Sequence, residues 1–544
     1  MDTNHTISLF DFAADESPGI ERDTARFAAA MAYCREHAGT TLIVPPGEYT
    51  ITSPLARETQ RKVMAGEYGE NPQRIMFNPK FQYTRGISFE GQRGTTLIGY
   101  GVTLMVDGFM EPVSVRDCVD VTVKGITIDH VRKPYSKGTV IAAEKREDGD
   151  FDITIRLEED CPVQEKSPLR LRYVLYSTHT NQYFIPPAKE VHFTDSHTLR
   201  LVMTKDCVDE TGESYIGMEY YTVHSYHSRP AILIEYAENI RLEDVTIHSQ
   251  PGMGIVGNRS ENIFISGLSV VPSVGHHFST DTDATHFTSI KGLLRLEYST
   301  FDGQGDDFIN VHNYYHTITP IDETTCYLHT DAVDGTHAQS LDYPDVGDTL
   351  ELTDRDSLEV PETYTVLECE PDFAGYRTKV KLDKPLPKNP EQYLLADVTR
   401  LPRLEVVGCS ARNHFARSIL VKTRNVLLEG NTFTDVFGPA IVIAAEAWWS
   451  EGVCAENVTI RRNRVVNTRV PWGEAGGIVV KADCGKPACQ TIRNIVIEDN
   501  IIDCPRAEHG IFVRNVDGVT VRRNRIVSRG EPVCIENCSN VERM

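Results

Sequence analysis

The stretch Asn239–Val270, NIRLEDVTIHSQPGMGIVGNRSENIFISGLSV, decides the fold. It holds one short unit twice: Asn239 opens NIRLEDVTI and Asn262, 23 residues on, opens NIFISGLSV. In each copy apolar residues alternate with polar ones, pause at a turn, and end in a second apolar pair, which is the period of two short strands. The unit recurs at Asp120 (DVTVKGITI), Asn425 (NVLLEGNTF), Asn457 (NVTIRRNRVV), Asn494 (NIVIEDNII) and Gly518 (GVTVRRNRIV), with a partial copy, NVER, at Asn540. A period in the twenties with strand-turn-strand content and no intervening helix predicts a right-handed parallel β-helix, since a leucine-rich repeat would carry its own Leu/Asn frame. Asn suits the turn because it tolerates left-handed backbone angles and can stack into hydrogen-bonded ladders.

The repeat divides the chain. Residues 1–130 hold an N-terminal cap and the first coils. Asp23 is expected to cap a helix through TARFAAAMAYCREHAG, with Phe27, Ala30, Met31 and Cys34 on one face, before TTLIVPPGEYTI starts the strands. In 131–228 and 314–401 the Asn-led unit is missing, and runs such as FDITIRLEE, HTLRLVMT, DTLELTD and RTKVKLD predict two small inserted β-barrels. Central coils, 229–313, and C-terminal coils, 402–544, complete the expected all-β solenoid.

Composition narrows the function. A net charge of −23 disfavours a nucleic-acid partner and makes a polyuronate substrate less apt. No run reaches the roughly 18 apolar residues of a membrane span. The opening MDTNHTISLFDF lacks a secretory signal, so the expected compartment is the cytoplasm, or the exterior if a leader has been lost. The 13 cysteines show no zinc spacing and are read as buried thiols; no metal or cofactor is called for.

Chemistry concentrates in DTDATHFTSIKGLLRLEYSTFDGQGDDFINVH, from Asp281 to His312. Asp306 follows Asp283 by 23 residues, one coil, which predicts neighbouring rungs and mutual repulsion. Repulsion between close carboxylates leaves one protonated beside one ionised, the division of labour that glycoside hydrolysis needs. Asp307 joins them if Gly303 and Gly305 place the pair at a turn. Ile309 and Val311 are expected inward, with Asn310 and His312 outward. His286 and His312 can orient carboxylates or bind sugar hydroxyls. Trp448 and Trp449 can stack on a pyranose face, and Arg417 and Glu446 can hydrogen-bond it.

PGMGIV (251–256), TDATHF (282–287) and GDDFINVH (305–312), in this order and spacing, resemble glycoside hydrolase family 110, the exo-acting α-1,3-galactosidases that include enzymes cleaving the blood-group B determinant. The resemblance implies a galactose-terminated glycan as substrate and metal-free, inverting hydrolysis. It also implies Asp306 as general acid, with Asp283 and Asp307 holding the attacking water. Oligomeric state stays open, a homodimer included. Three rival readings differ in kind. A polygalacturonase-like hydrolase needs Gly-His-Gly and Arg-Ile-Lys motifs that do not occur, and a lyase needs a cationic groove. A non-catalytic glycan-binding solenoid would bind without turnover.

Overall fold

The computed structural model describes residues 5–13, 19–76, 78, 80–169, 172–185, 188–204, 215–329, 341–468, 476–482 and 489–544. Among these, 22 strands form one long sheet and 12 form a second, and between coils the pairings run parallel rung to rung. The chain is a parallel β-helix. Its inward side chains make one continuous core from Leu9 to Val521, including Ile240, Ile263, Phe287, Val311, Ile443 and Ile497.

The turn chemistry explains the repeat. Asp120, Asn239, Asn262, Asn425, Asn457, Asn494 and Asn540 all sit at left-handed angles, φ between 50° and 61°. Their side chains form the expected external ladder: Asn262 donates to Asn239 at 3.1 Å, and Asn494 donates to Asn457 at 3.0 Å. A second ladder runs inside the C-terminal coils. The buried Asn431, Asn463 and Asn500 and the half-buried Asn524 each donate to a backbone carbonyl of the preceding coil, and from Asn431 to Asn524 each amide also donates to the next Asn oxygen.

The first coil is closed by helix Arg22–Glu36, which buries Phe27, Ala30, Met31 and Cys34. Glu21 rather than Asp23 is its N-cap residue, and Asp23 instead accepts the Thr50 amide at 3.0 Å. A helix not read from the sequence, Pro54–Met64, follows; the Ser53 hydroxyl accepts from the Ala56 amide and starts it.

Two antiparallel sheets leave the solenoid. Seven strands between Tyr135 and Val223 enclose a core with Ile153, Ile155, Leu199 and Leu201. Six strands between Thr317 and Asp397 enclose Leu328, Leu350, Val380 and Leu395, and the His316–Leu395 bridge joins the two ends of that sheet. Ten described cysteines are free, but Cys489 is disulfide-bonded, which departs from the all-thiol reading. Among the described residues, no helix is long and apolar enough to cross a membrane.

Candidate active site

Strands Thr285–Thr288 and Ile309–Tyr314 pair with His286 opposite Asn310 and Thr288 opposite His312, and strand Ile419–Val421 continues the stack with Leu420 opposite Asn310. The offset from the first rung to the second is therefore 24 residues, not 23. Asp307, rather than Asp306, is the rung equivalent of Asp283. Backbone bonds carry the register to that level, from Ala284 N to Asp307 O and from Phe308 N to Arg417 O. The column reads Asp283, Asp307, Arg417, and Asp306 stands one residue outside it. The sequence spacing misled because the coil carries one extra residue there.

The turn before strand Ile309–Tyr314 presents both aspartates. Gly303 adopts φ 74°, and a Cβ on Gly305 would lie 2.2 Å from the Asp281 carbonyl oxygen, so side chains are excluded where the rungs touch. Ile309 and Val311 enter the core, and Asn310 and His312 point away from it. Each of Asp283, Asp306 and Asp307 has an oxygen within 4.8 Å of an oxygen of the other two. Their side chains are 8%, 20% and 2% exposed, so Asp306 is the member open to solvent.

Three cations answer the three carboxylates. Arg417 donates to Asp307 through its backbone amide at 2.8 Å, Nε at 3.0 Å and a terminal nitrogen at 2.8 Å. Tyr226 donates to Asp306 at 3.0 Å, and Arg172, lying over the Tyr226 and Phe415 rings, approaches the same oxygen at 3.5 Å. His286 contacts Asp283 at 2.7 Å. The same trio has the geometry to hold a metal ion, and Arg417, Arg172 and His286 already engage its carboxylates.

Burial is the largest single influence on each titration. It pushes Asp307 up to about 7, against Arg417 and helped by the neighbouring aspartates. It raises Asp283 despite His286. Burial also acts upward on Asp306, yet Arg172, Arg417 and the Tyr226 hydroxyl outweigh it and hold that carboxyl below its usual range. Asp306 is thus held toward the ionised form, opposite to the state a general acid must reach.

The other expected residues lie nearby with different neighbours. His312 is buried against His286 at 2.9 Å, and Asn310 donates to Glu451 at 3.3 Å. Glu446 pairs with Lys422 at 2.7 Å. Trp448 is 56% exposed, while Trp449 is half-buried with its ring centroid 4.6 Å from that of Trp448. Trp472 lies outside the described residues. Sequence reading missed Arg172, on a strand of the first antiparallel sheet, and Tyr226 just after that sheet, both without repeat spacing, and Lys422 and Glu451, which lie beyond the second. It also missed Asp281, fully buried with neither oxygen hydrogen-bonded to a described residue.

No family model matches the chain. It is 23% identical to α-1,3-galactosidase B of Bacteroides fragilis, the alignment covering 97% of this chain and 92% of the relative. It is likewise 23% identical to α-1,3-galactosidase A of Shewanella woodyi, covering 99% and 90%. Among solved structures, an exopolygalacturonase of Yersinia enterocolitica aligns over 99% of this chain and 78% of its own, at 11% identity and a TM-score of 0.41. A β-helix carrying three converging aspartates, similar from end to end to glycosidases, defines the class: this chain is a glycoside hydrolase. These relatives bear the name α-1,3-galactosidase.

Proposed function

We propose that the chain is an exo-acting enzyme of glycoside hydrolase family 110 that releases terminal α-1,3-linked galactose from oligosaccharides or glycoconjugates. The convergence of Asp283, Asp306 and Asp307 carries the reading, and the names of the full-length relatives support the sugar. Asp306 protonates the leaving glycosidic oxygen, and Asp283 and Asp307 hold the attacking water. Asp306 is where a leaving oxygen can reach, being the most exposed of the three. Asp306 takes its proton from solvent as the substrate binds: a sugar that seals the remaining exposure adds to the burial that already pushes Asp306 upward, and Arg172 at 3.5 Å grips it only loosely. Trp448 offers the exposed ring for stacking.

Inversion is the course that the family resemblance implies. NMR of the first-formed sugar decides: β-galactose from an α-galactoside supports inversion, and α-galactose would make Asp283 or Asp307 a nucleophile. Incubation with p-nitrophenyl α-glycosides and with linear and fucosylated α-1,3-galactosyl oligosaccharides tests the activity itself. Galactose release is expected, and no release from any of them would overturn the assignment.

A further inference from the structure

We propose that Lys422 is a positioning residue for Asp283, acting through Glu451, His312 and His286; the inference rests on the galactosidase reading above. Lys422 follows the Val311–Val421 pair on its strand, and its side chain is fully buried between Glu446, at 2.7 Å, and Glu451. Glu451 is held by its short antiparallel pairing with Tyr314, accepts from Asn310 with one oxygen, and stands with the other 3.8 Å from His312 Nε2.

Donor and acceptor arithmetic fixes the rest of the chain. His312 Nδ1 lies 2.8 Å from the Asn313 carbonyl, which can only accept, so Nδ1 carries the hydrogen. In a neutral ring Nε2 is then an acceptor, and His286 Nε2, 2.9 Å away, must be the donor. His286 Nδ1 meets Asp283 at 2.7 Å. With Asp283 ionised, as a base that activates water must be, His286 donates through both nitrogens and is an imidazolium against the carboxylate. Burial agrees with this direction: it lowers His312 to about 3, whereas in His286 it is outweighed by the bond to Asp283 and its charge.

The arrangement works only while His312 is neutral. A glutamate facing Nε2 without a cation behind it would stabilise a proton there, and Lys422 cancels that pull. Were His312 protonated, two N–H groups would confront each other and the positive charge would move one ring farther from Asp283. Asp283 would then take up its proton at higher pH, and a protonated carboxyl cannot activate water. Among the described residues, the other charged or titratable groups that act on Asp283 are Asp306, Asp307, Arg417 and Tyr226, and Tyr314 packs edge-on against His312.

Two double variants with the same net charge as the parent isolate the effect: Lys422→Met with Glu446→Gln, and Lys422→Met with Glu451→Gln. Each leaves one glutamate, and only the first leaves the one that faces His312. The first should move the acid limb of kcat/KM on an aryl α-galactoside upward by about one pH unit, and the second should leave the limb at its parent position. Equal shifts, or the reverse order, overturn the proposal. Should either variant fail to fold, the parent protein decides by imidazole nitrogen-15 NMR at pH 7. His312 is expected as the neutral Nδ1–H form with His286 doubly protonated, and a protonated His312 or a neutral His286 overturns it. Parent protein without turnover on any galactoside would instead refute the galactosidase reading, and the NMR result would still judge the histidine pair.

Discussion

The coils before and after the second antiparallel sheet share one frame and use it differently. After it, an inner column repeats Asn431, Asn463, Asn500, Asn524, each feeding the next. Before it, the same column holds Ser299, whose hydroxyl accepts from the Leu268 amide, and after it Cys409, whose amide donates to Asn431, leads into the asparagines. On the site-bearing sheet the outward column reads Leu233, Val256, His286, Asn310 before the insertion and Leu420, Val442, Val479, Phe512 after it. A solenoid rung needs inward apolar residues and a residue at the turn that tolerates positive φ; every other position is free. Where a column is uniform it supports the stack, and where it changes from valine to histidine it carries chemistry.

Removing the chemistry should therefore cost activity and not the fold. Asp306→Asn cannot donate a proton to the glycosidic oxygen, so turnover of an α-1,3-galactosyl oligosaccharide should fall by about 10²–10⁴-fold. The loss should be smaller on an aryl galactoside, whose leaving group needs less protonation. Equal losses on both substrates would take the acid role from Asp306 and turn attention to Asp307, which burial pushes up to about 7.

Breaking the uniform column should do the reverse. Asn463→Ala removes bonds to Asn431, the Leu428 carbonyl and Asn500 in a fully enclosed position. Unpaired buried groups cost about 1–3 kcal/mol each, so urea unfolding should show a loss of about 3 kcal/mol or more. Activity per folded molecule should persist. A loss under about 1 kcal/mol would mean that the coils relax around the gap.

The same contrast explains what the sequence disclosed. Positions repeated in every coil were legible: the alternating strands, the Asn-led turns at 239, 262, 425, 457 and 494, and the inward Ile309 and Val311. Positions used once were not. The one-residue irregularity that makes Asp307 the partner of Asp283 leaves no periodic trace. Lys422 lies one rung beyond His312 but is separated from it in sequence by a whole antiparallel sheet. Arg172 and Tyr226 meet Asp306 from outside the frame. The internal ladder was also overlooked, because GNT, RNR and DNI read as polar turn sequence until the fold turns those amides inward.

Electrostatics sharpens the contrast at the site itself. Between the ordinary carboxylate value near ~3.9 and about 7, folded Asp307 keeps a proton that the unfolded chain has lost. Its contribution to stability is thus present at low pH and disappears as pH rises through that window. Asp307→Asn cannot titrate, so the stability difference between variant and parent should move in favour of the variant by about 1–3 kcal/mol from pH 4 to 7.5. Urea unfolding of both proteins at the two pH values measures it. A flat difference would mean that Arg417 keeps Asp307 ionised throughout.

The smallest effect belongs to the external ladder, where geometry and side-chain bonding can be separated. Asn457 is exposed, sits at φ 56°, donates to Asn425 at 3.2 Å and accepts from Asn494 at 3.0 Å. Alanine loses both bonds and must also hold a left-handed angle, at roughly 1–2 kcal/mol. Glycine loses the same bonds but holds the angle freely, offset only by the greater freedom of its unfolded state. If the turn asks chiefly for backbone geometry, Asn457→Gly should unfold in urea close to the parent and clearly later than Asn457→Ala. If glycine proves as damaging as alanine, the exposed amide stack contributes as the buried one does, and the distinction between a bonding inner column and a shape-setting outer one fails.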